Sequence, residues 1–222
     1  HQDKSLAYQK IGITLIHVWE DDWEDENKKS IIIEKILSKA GVSHNRTYAR
    51  KTSVNLVSLE EARSFFENTH IQGHTNGSVY IGLKDQNQNI VACMTMKDMK
   101  NGVWDLSRFS SSVNVVGGLS KCLSFFKKNY EWNKIFTFAS LDYSNGNMYE
   151  LTGFTNEGTT PPNMWYMKIG EWKRMGRRKF IKSRLDKILS NYDPDLSEKD
   201  NMRANGYTII YDAGSIKYTM TQ

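Results

Sequence analysis

Three groups of residues in this 222-residue chain have types and spacings that can do chemistry. The first is the run 115–121, which holds Gly117, Gly118, Ser120 and Lys121 between a strand-like and a helix-like apolar segment. A glycine turn that opens a helix leaves free N–H groups at the positive end of the helix dipole, which suits a phosphate. It also suits a tight turn that binds nothing, because such turns need glycine anyway. The second is Tyr149, followed by Gly153 and Phe154. Its ring can pack on Phe154, or the residue can serve in catalysis. The third is a basic segment. Between 168 and 187 there are nine Lys or Arg against Glu171 and Asp186, a local charge of +7 in a chain whose net charge is +5. The rest of the chain is therefore slightly acidic, and clustered positive charge of this kind attracts polyanions.

Other chemistry is weaker. His70 and His74 stand four apart, a spacing that suits a metal on a helix. Gly73 marks a loop there instead, and no third ligand is evident. Glu20, Asp21 and Asp22 form either a carboxylate cluster for a divalent ion or a solvated acidic turn. No Ser-His-Asp or Cys-His arrangement can be argued. Cys93 and Cys122 both sit in apolar runs and read as buried free thiols of a reducing compartment. No apolar run approaches the roughly 20 residues that span a bilayer, so no membrane is expected as partner. The chain starts at His1 inside what reads as a helix, as a piece of a longer chain would.

The elements that must position these groups follow from periodicity. A helix is expected over 2–10, an apolar strand over 13–19, an acidic turn over 20–26 and a helix over 28–40. A polar linker over 42–47 leads to a strand at 54–57. Ser58 with Glu61 three residues on forms a capping box for a helix over 59–68. A hairpin joins strands at 78–83 and 90–96, followed by a strand at 104–109. The glycine run then opens a helix carrying Cys122, Leu123, Phe125 and Phe126. A strand at 135–140 leads into Tyr149, and 164–169 is the next strand. The basic segment continues as a helix over 177–189. A short helix over 197–205 and a closing hairpin, 207–211 with 215–219, complete the chain.

The order from 54 to 169 resembles the GNAT acyltransferase fold, with its mixed central sheet. The glycine run stands where that fold carries its pyrophosphate loop. Tyr149, Gly153 and Phe154 match a signature of that family, with Asp142 and Gly146 at its Asn and Ala positions. The resemblance implies acetyl-CoA bound through Val116, Gly117, Gly118, Leu119, Ser120 and Lys121, with Tyr149 as the acid for the departing thiolate.

A wider resemblance is to the C-terminal part of phage Hef-like homing endonucleases. It is carried by 12–23, 49–51, 70–73, 116–118, 144–149 and 211–214. It implies that 1–41 is a helix-strand-helix remnant of a Vsr-like PD-(D/E)XK nuclease, whose Mg-binding carboxylates lie upstream. Residues 48–222 would be a GNAT-like domain with a basic extension, at work in the cytoplasm of a bacterial host. The leading expectation is thus a module for double-stranded DNA, gripping phosphates through Lys173, Arg174, Arg177, Arg178, Lys179, Lys182 and Arg184. The rival is an acyl-CoA-dependent N-acetyltransferase.

Overall fold

The computed structural model describes residues 1–42 and 46–222. The linker reading of 42–47 therefore falls in part on 43–45, outside the described residues. The chain opens with helices α1 (Gln2–Lys10), α2 (Glu20–Trp23) and α3 (Glu26–Lys39). Asp25 caps α3, its carboxylate accepting from the N–H groups of Asn27 and Lys28. Two expectations fail here. Residues 20–23 are a helical turn, and residues 13–19 join no sheet among the described residues. An apolar run makes a strand only where another strand offers its backbone, so the helix-strand-helix order expected of 1–41 is not formed.

Next come β1 (Arg46–Tyr48), a 3-10 turn at Ala49–Lys51, β2 (Ser53–Leu56) and α4 (Leu59–Thr69). Both halves of the capping box are made: Ser58 Oγ accepts from Glu61 N, and Glu61 accepts from Ser58 N. The chain continues through β3 (Val79–Lys84), β4 (Ile90–Asp98), β5 (Val103–Ser111), β6 (Asn114–Val116) and α5 (Gly118–Asn129). Then follow β7 (Lys134–Ser140), α6 (Asn147–Glu150), β8 (Thr155–Thr159), β9 (Met164–Lys168) and β10 (Arg174–Gly176). The last elements are α7 (Leu185–Ile188), α8 (Glu198–Ala204), β11 (Tyr207–Tyr211) and β12 (Ser215–Thr221).

These elements form two compact units, each assembled from three stretches of chain. The larger comprises 22–139, 146–158 and 216–222. Its core is a seven-stranded sheet in the order β2-β3-β4-β5-β7-β12-β8, beside a parallel pair of β1 and β6. The sheet is mixed: β2 to β5 run antiparallel, and β5 and β7 run parallel. This is the mixed α/β arrangement expected of a GNAT-like chain. Val91 to Met96 of β4 are six consecutive buried residues, which takes cover on both faces of the strand. Helices α4 and α5 both pack on β3 and β4 and supply it. Cys93 joins Ala62 and Phe66 of α4 in one cluster, and Phe126 of α5 meets Trp104 of β5 edge-on at 4.9 Å. Both thiols are free and buried, and burial pushes Cys93 up to about 12, so it stays protonated.

The smaller unit comprises 1–21, 140–145 and 159–215. It holds the antiparallel sheet β10-β9-β11. Tyr166, Phe180, Leu185, Leu189 and Met202 form its core. The expected hairpin of 207–211 with 215–219 does not exist: β11 pairs with β9, and β12 lies between β7 and β8. Asp212 turns the chain between them, accepting from Gly214 N, Asn163 N, Asn163 Nδ2 and Trp165 Nε1. The basic helix is also absent. Residues 177–180 and 182–184 are separate 3-10 turns, broken at Ile181 by extended backbone, before the single turn of α7. The apolar residues Phe180, Leu185 and Leu189 are buried, and burying them outweighs the weak preference for one continuous helix.

No helix among the described residues is long and apolar enough to cross a membrane.

Candidate functional site

Strands β5 and β7 are paired only at Val103–Lys134, Trp104–Ile135 and Asp105–Phe136. Beyond that they part. Strand β5 runs on to Ser111 beside β4, and β7 runs on to Ser140. The cause is visible in the register of β5 on β4. Met96 faces Leu106 and Thr95 faces Arg108, so Ser107 is an extra residue, a bulge that bends its strand. Thr137 Oγ1 donates to Leu106 O at 2.8 Å, one hydrogen bond across the point where the strands separate.

The bulge also decides which side chains meet. In a regular strand Asp105 and Arg108, three apart, would face opposite sides. The extra residue brings both to the α4 side. Arg108 Nε donates to Gly73 O at 3.3 Å, and Ser110 Oγ donates to Thr69 O at 2.7 Å. Arg108 Nη1 donates to Ser107 O, and Asp105 accepts from Ser107 Oγ at 2.8 Å. Among the described residues no carboxylate lies within ion-pair distance of Arg108. Burial lowers its guanidinium pKa, against the pull of Asp105 and Tyr149, while burial lifts the Asp105 carboxyl.

Tyr149, on α6, is buried beside this pair, its ring against Phe154 at 5.7 Å and Tyr218 at 5.3 Å. Thr137 and Arg108 lie near its hydroxyl. Burial raises the phenol pKa, with Thr137 and Arg108 opposing, and keeps it protonated. Gly146, which starts α6 in the left-handed region at φ 78°, lies directly under Tyr218; a Cβ there would overlap the Tyr218 hydroxyl.

The glycine run lies just past the end of β5. Val116 ends β6, Gly117 is left-handed at φ 77°, and Gly118 starts the twelve-residue α5. The N–H groups of the first turn have no partner within the helix. Leu119 is buried in the core, so its side chain leaves the turn open. Ser120 is exposed. Lys121 Nζ is already engaged, donating to Ala49 O at 2.9 Å and to Thr52 O.

Four residues of this region were not predicted as site residues. Asp105 and Arg108 were concealed because strand alternation separates them. Arg46 and Arg50, whose guanidinium groups lie 5.3 and 5.0 Å from the ring of Tyr48, were concealed because β1 pairs with a strand almost 70 residues away. His70 and His74 stay in a loop as expected. The His70 pKa is pulled down to about 3 by burial, with Arg108 and Lys35 adding to it. Among the described residues no cluster of His, Cys, Asp or Glu is arranged to hold a metal.

Among solved structures similar to this chain are three acetyltransferases. One is the spermidine/spermine N-acetyltransferase SpeG of Vibrio cholerae, 9% identical over 78% of this chain and 94% of that one, with a TM-score of 0.45. Another is a Bacillus subtilis acetyltransferase in complex with CoA, 11% identical over 78% and 99%, at 0.44. The third is a GNAT family acetyltransferase of Elizabethkingia anophelis with acetyl-CoA bound, 13% identical over 78% and 99%, at 0.39. Nothing about substrate or activity follows from likenesses this distant. No family model and no curated protein matches the chain.

The DNA-binding expectation is overturned. The basic segment is not one cationic face. Arg174 is built into the smaller unit, its Nε 2.7 Å from Asp21 Oδ1 and its guanidinium 4.6 Å from the ring of Trp19. Arg177 pairs with Glu198 at 2.8 Å, which also accepts from the Tyr166 hydroxyl. Lys173, Arg178, Lys179, Lys182 and Arg184 remain exposed, spread over a loop and two separate turns. Local +7 charge is thus partly an internal scaffold. Asp21 and Asp22, read as possible metal ligands, are committed to Arg174 and Lys28.

Proposed function

We propose that this protein is an acyl-CoA-dependent N-acyltransferase. The observation that carries the reading is the parting of the parallel strands β5 and β7 after Asp105 and Phe136, flanked by the glycine turn and by Tyr149. Strands that separate leave backbone N–H and C=O groups without ladder partners, and such groups seek hydrogen bonds. A slender, amide-bearing arm is the ligand chemistry that suits a gap of this kind. The Gly117–Gly118 turn suits a diphosphate: its donors are backbone N–H groups, and the Leu119 side chain is buried in the core. Acyl-CoA combines both features and would supply an activated thioester.

The chain's own residues then have definite tasks. Tyr149 holds a proton on its hydroxyl, kept there by burial, and gives it to the sulfur as the C–S bond breaks. Asp105 receives the proton that the amine nitrogen sheds as the new C–N bond forms; its carboxyl is lifted by burial, which makes it a better base than an exposed aspartate. Arg108 keeps positive charge beside both.

Titration calorimetry with acetyl-CoA tests binding, and release of free thiol in the presence of amines tests transfer. Tyr149→Phe should leave binding unchanged and slow transfer by about 10²–10⁴-fold, the usual contribution of a general acid. Absence of heat with acetyl-CoA would overturn the reading.

A further inference from the structure

The glycine turn has a neighbour that the proposed reaction does not use. Strand β1 runs parallel to β6, with Thr47 opposite Val115 and Tyr48 opposite Val116, the residue just before the turn. The 3-10 turn after β1 is tied to α5, because Lys121 Nζ donates to Ala49 O. A Cβ at position 117 would lie 3.7 Å from the Ala49 Cβ. The stretch from Arg46 to Arg50 is thus fixed beside the glycine turn by a ladder and a side-chain hydrogen bond.

On that stretch two guanidinium groups share one aromatic ring. Arg46 lies 5.3 Å and Arg50 5.0 Å from the centre of the Tyr48 ring, which is itself 38% exposed. Both arginines are exposed, and among the described residues neither has a carboxylate partner. Lys51 follows, also exposed. Cation–π contact accounts for the attraction of each arginine to the ring. It does not account for two like charges held together with no counter-charge. A doubly charged anion does: guanidinium forks bind phosphate oxygens in pairs, and holding two of them in place beforehand removes part of the entropy cost.

We infer that Arg46 and Arg50, braced on Tyr48, seat a phosphomonoester at the nucleotide end of the acyl donor, so that the protein selects donors carrying a 3′-phosphorylated adenosine over the same thioester without that phosphate. This rests on the acyl-CoA reading. It goes beyond it by assigning a specificity determinant to a strand outside the seven-stranded sheet and outside the glycine turn. A diphosphate at the turn and a monoester on the Arg46–Tyr48–Arg50 stack are separate groups of one ligand, so each can be removed without the other.

Calorimetric titration of the intact protein with CoA, 3′-dephospho-CoA and pantetheine tests it without knowledge of the acceptor. The wild type should bind CoA roughly 10- to 100-fold more tightly than 3′-dephospho-CoA, the equivalent of one charge-assisted interaction. Arg46→Ala combined with Arg50→Ala should abolish that difference by weakening CoA alone, and should leave 3′-dephospho-CoA unchanged. Arg50→Lys, which keeps the charge and loses the fork, should retain part of the preference. Equal affinity of the wild type for the two nucleotides overturns the inference and leaves the acyltransferase reading standing. So does equal weakening of both by the double variant. If none of the three ligands gives heat, both fall together. The arginines are exposed, and matching far-ultraviolet circular dichroism of wild type and variants separates lost recognition from lost fold.

Discussion

Arg174 in the smaller unit and Arg108 in the larger one are partnered in opposite ways. In the smaller unit the charges named here have an opposite partner or a full set of donors. Arg174 has Asp21 and two tryptophan rings, Arg177 and Tyr166 share Glu198, and Asp212 accepts four hydrogen bonds. In the larger one Arg108 is half-buried with only carbonyl oxygens to bond, beside a carboxyl that burial has lifted and a phenol that burial keeps protonated. Compensated charge holds a fold together. Charge left partly uncompensated beside a gap between strands is stored for something that arrives later. Of the basic segment, Arg174 and Arg177 belong to the first kind.

Exchange of the two arginines for a residue of similar length should expose this difference most clearly. Arg174→Met strands Asp21 beside apolar rings and should cost about 3 kcal/mol, the usual range for breaking a mostly buried pair. Arg108→Met removes a desolvated cation that has no carboxylate partner. It should leave stability unchanged or raise it by about 1 kcal/mol while transfer is lost. Urea unfolding of both variants checks this; equal destabilisation would erase the contrast.

A smaller effect is expected with acid. The His70 pKa lies near 3 in the folded chain and near 6.5 when the imidazole is exposed. The unfolded chain therefore takes up the proton first, and stability falls as pH drops from about 6.5 towards about 3. His70→Gln, which cannot titrate, should flatten that slope in melting curves taken across the range. The smallest effect belongs to local structure. Ser58→Ala removes one half of the capping box and should cost about 1 kcal/mol, with no change in the binding of CoA.

Much of the fold was readable from neighbouring residues. The Ser58–Glu61 box, the short helix expected over 197–205 and the glycine start of α5 depend on contacts three or four residues apart, and all are present. The misreadings share one cause. Residues 13–19 and 90–96 are both apolar runs, but only the second finds neighbours to pair with. Residues 207–211 and 215–219 look like a hairpin, but each finds a better partner elsewhere. The site was half legible: Gly117, Gly118 and Tyr149 carry their meaning in their type and setting, while Asp105 and Arg108 gain theirs from one extra residue in a strand.

By itself the sequence determined where backbone must turn or start a helix, which residues seek a core and where cations cluster, because these are properties of side chains and of short-range geometry. Only the tertiary structure decided that β5 and β7 part, that the bulge at Ser107 turns Arg108 toward Asp105, that Arg174 and Arg177 are spent on internal carboxylates and that Arg46 and Arg50 stand beside the glycine turn. Each of these depends on which distant strand or carboxylate a segment meets, and that follows from burial summed over the whole chain, not from any local pattern.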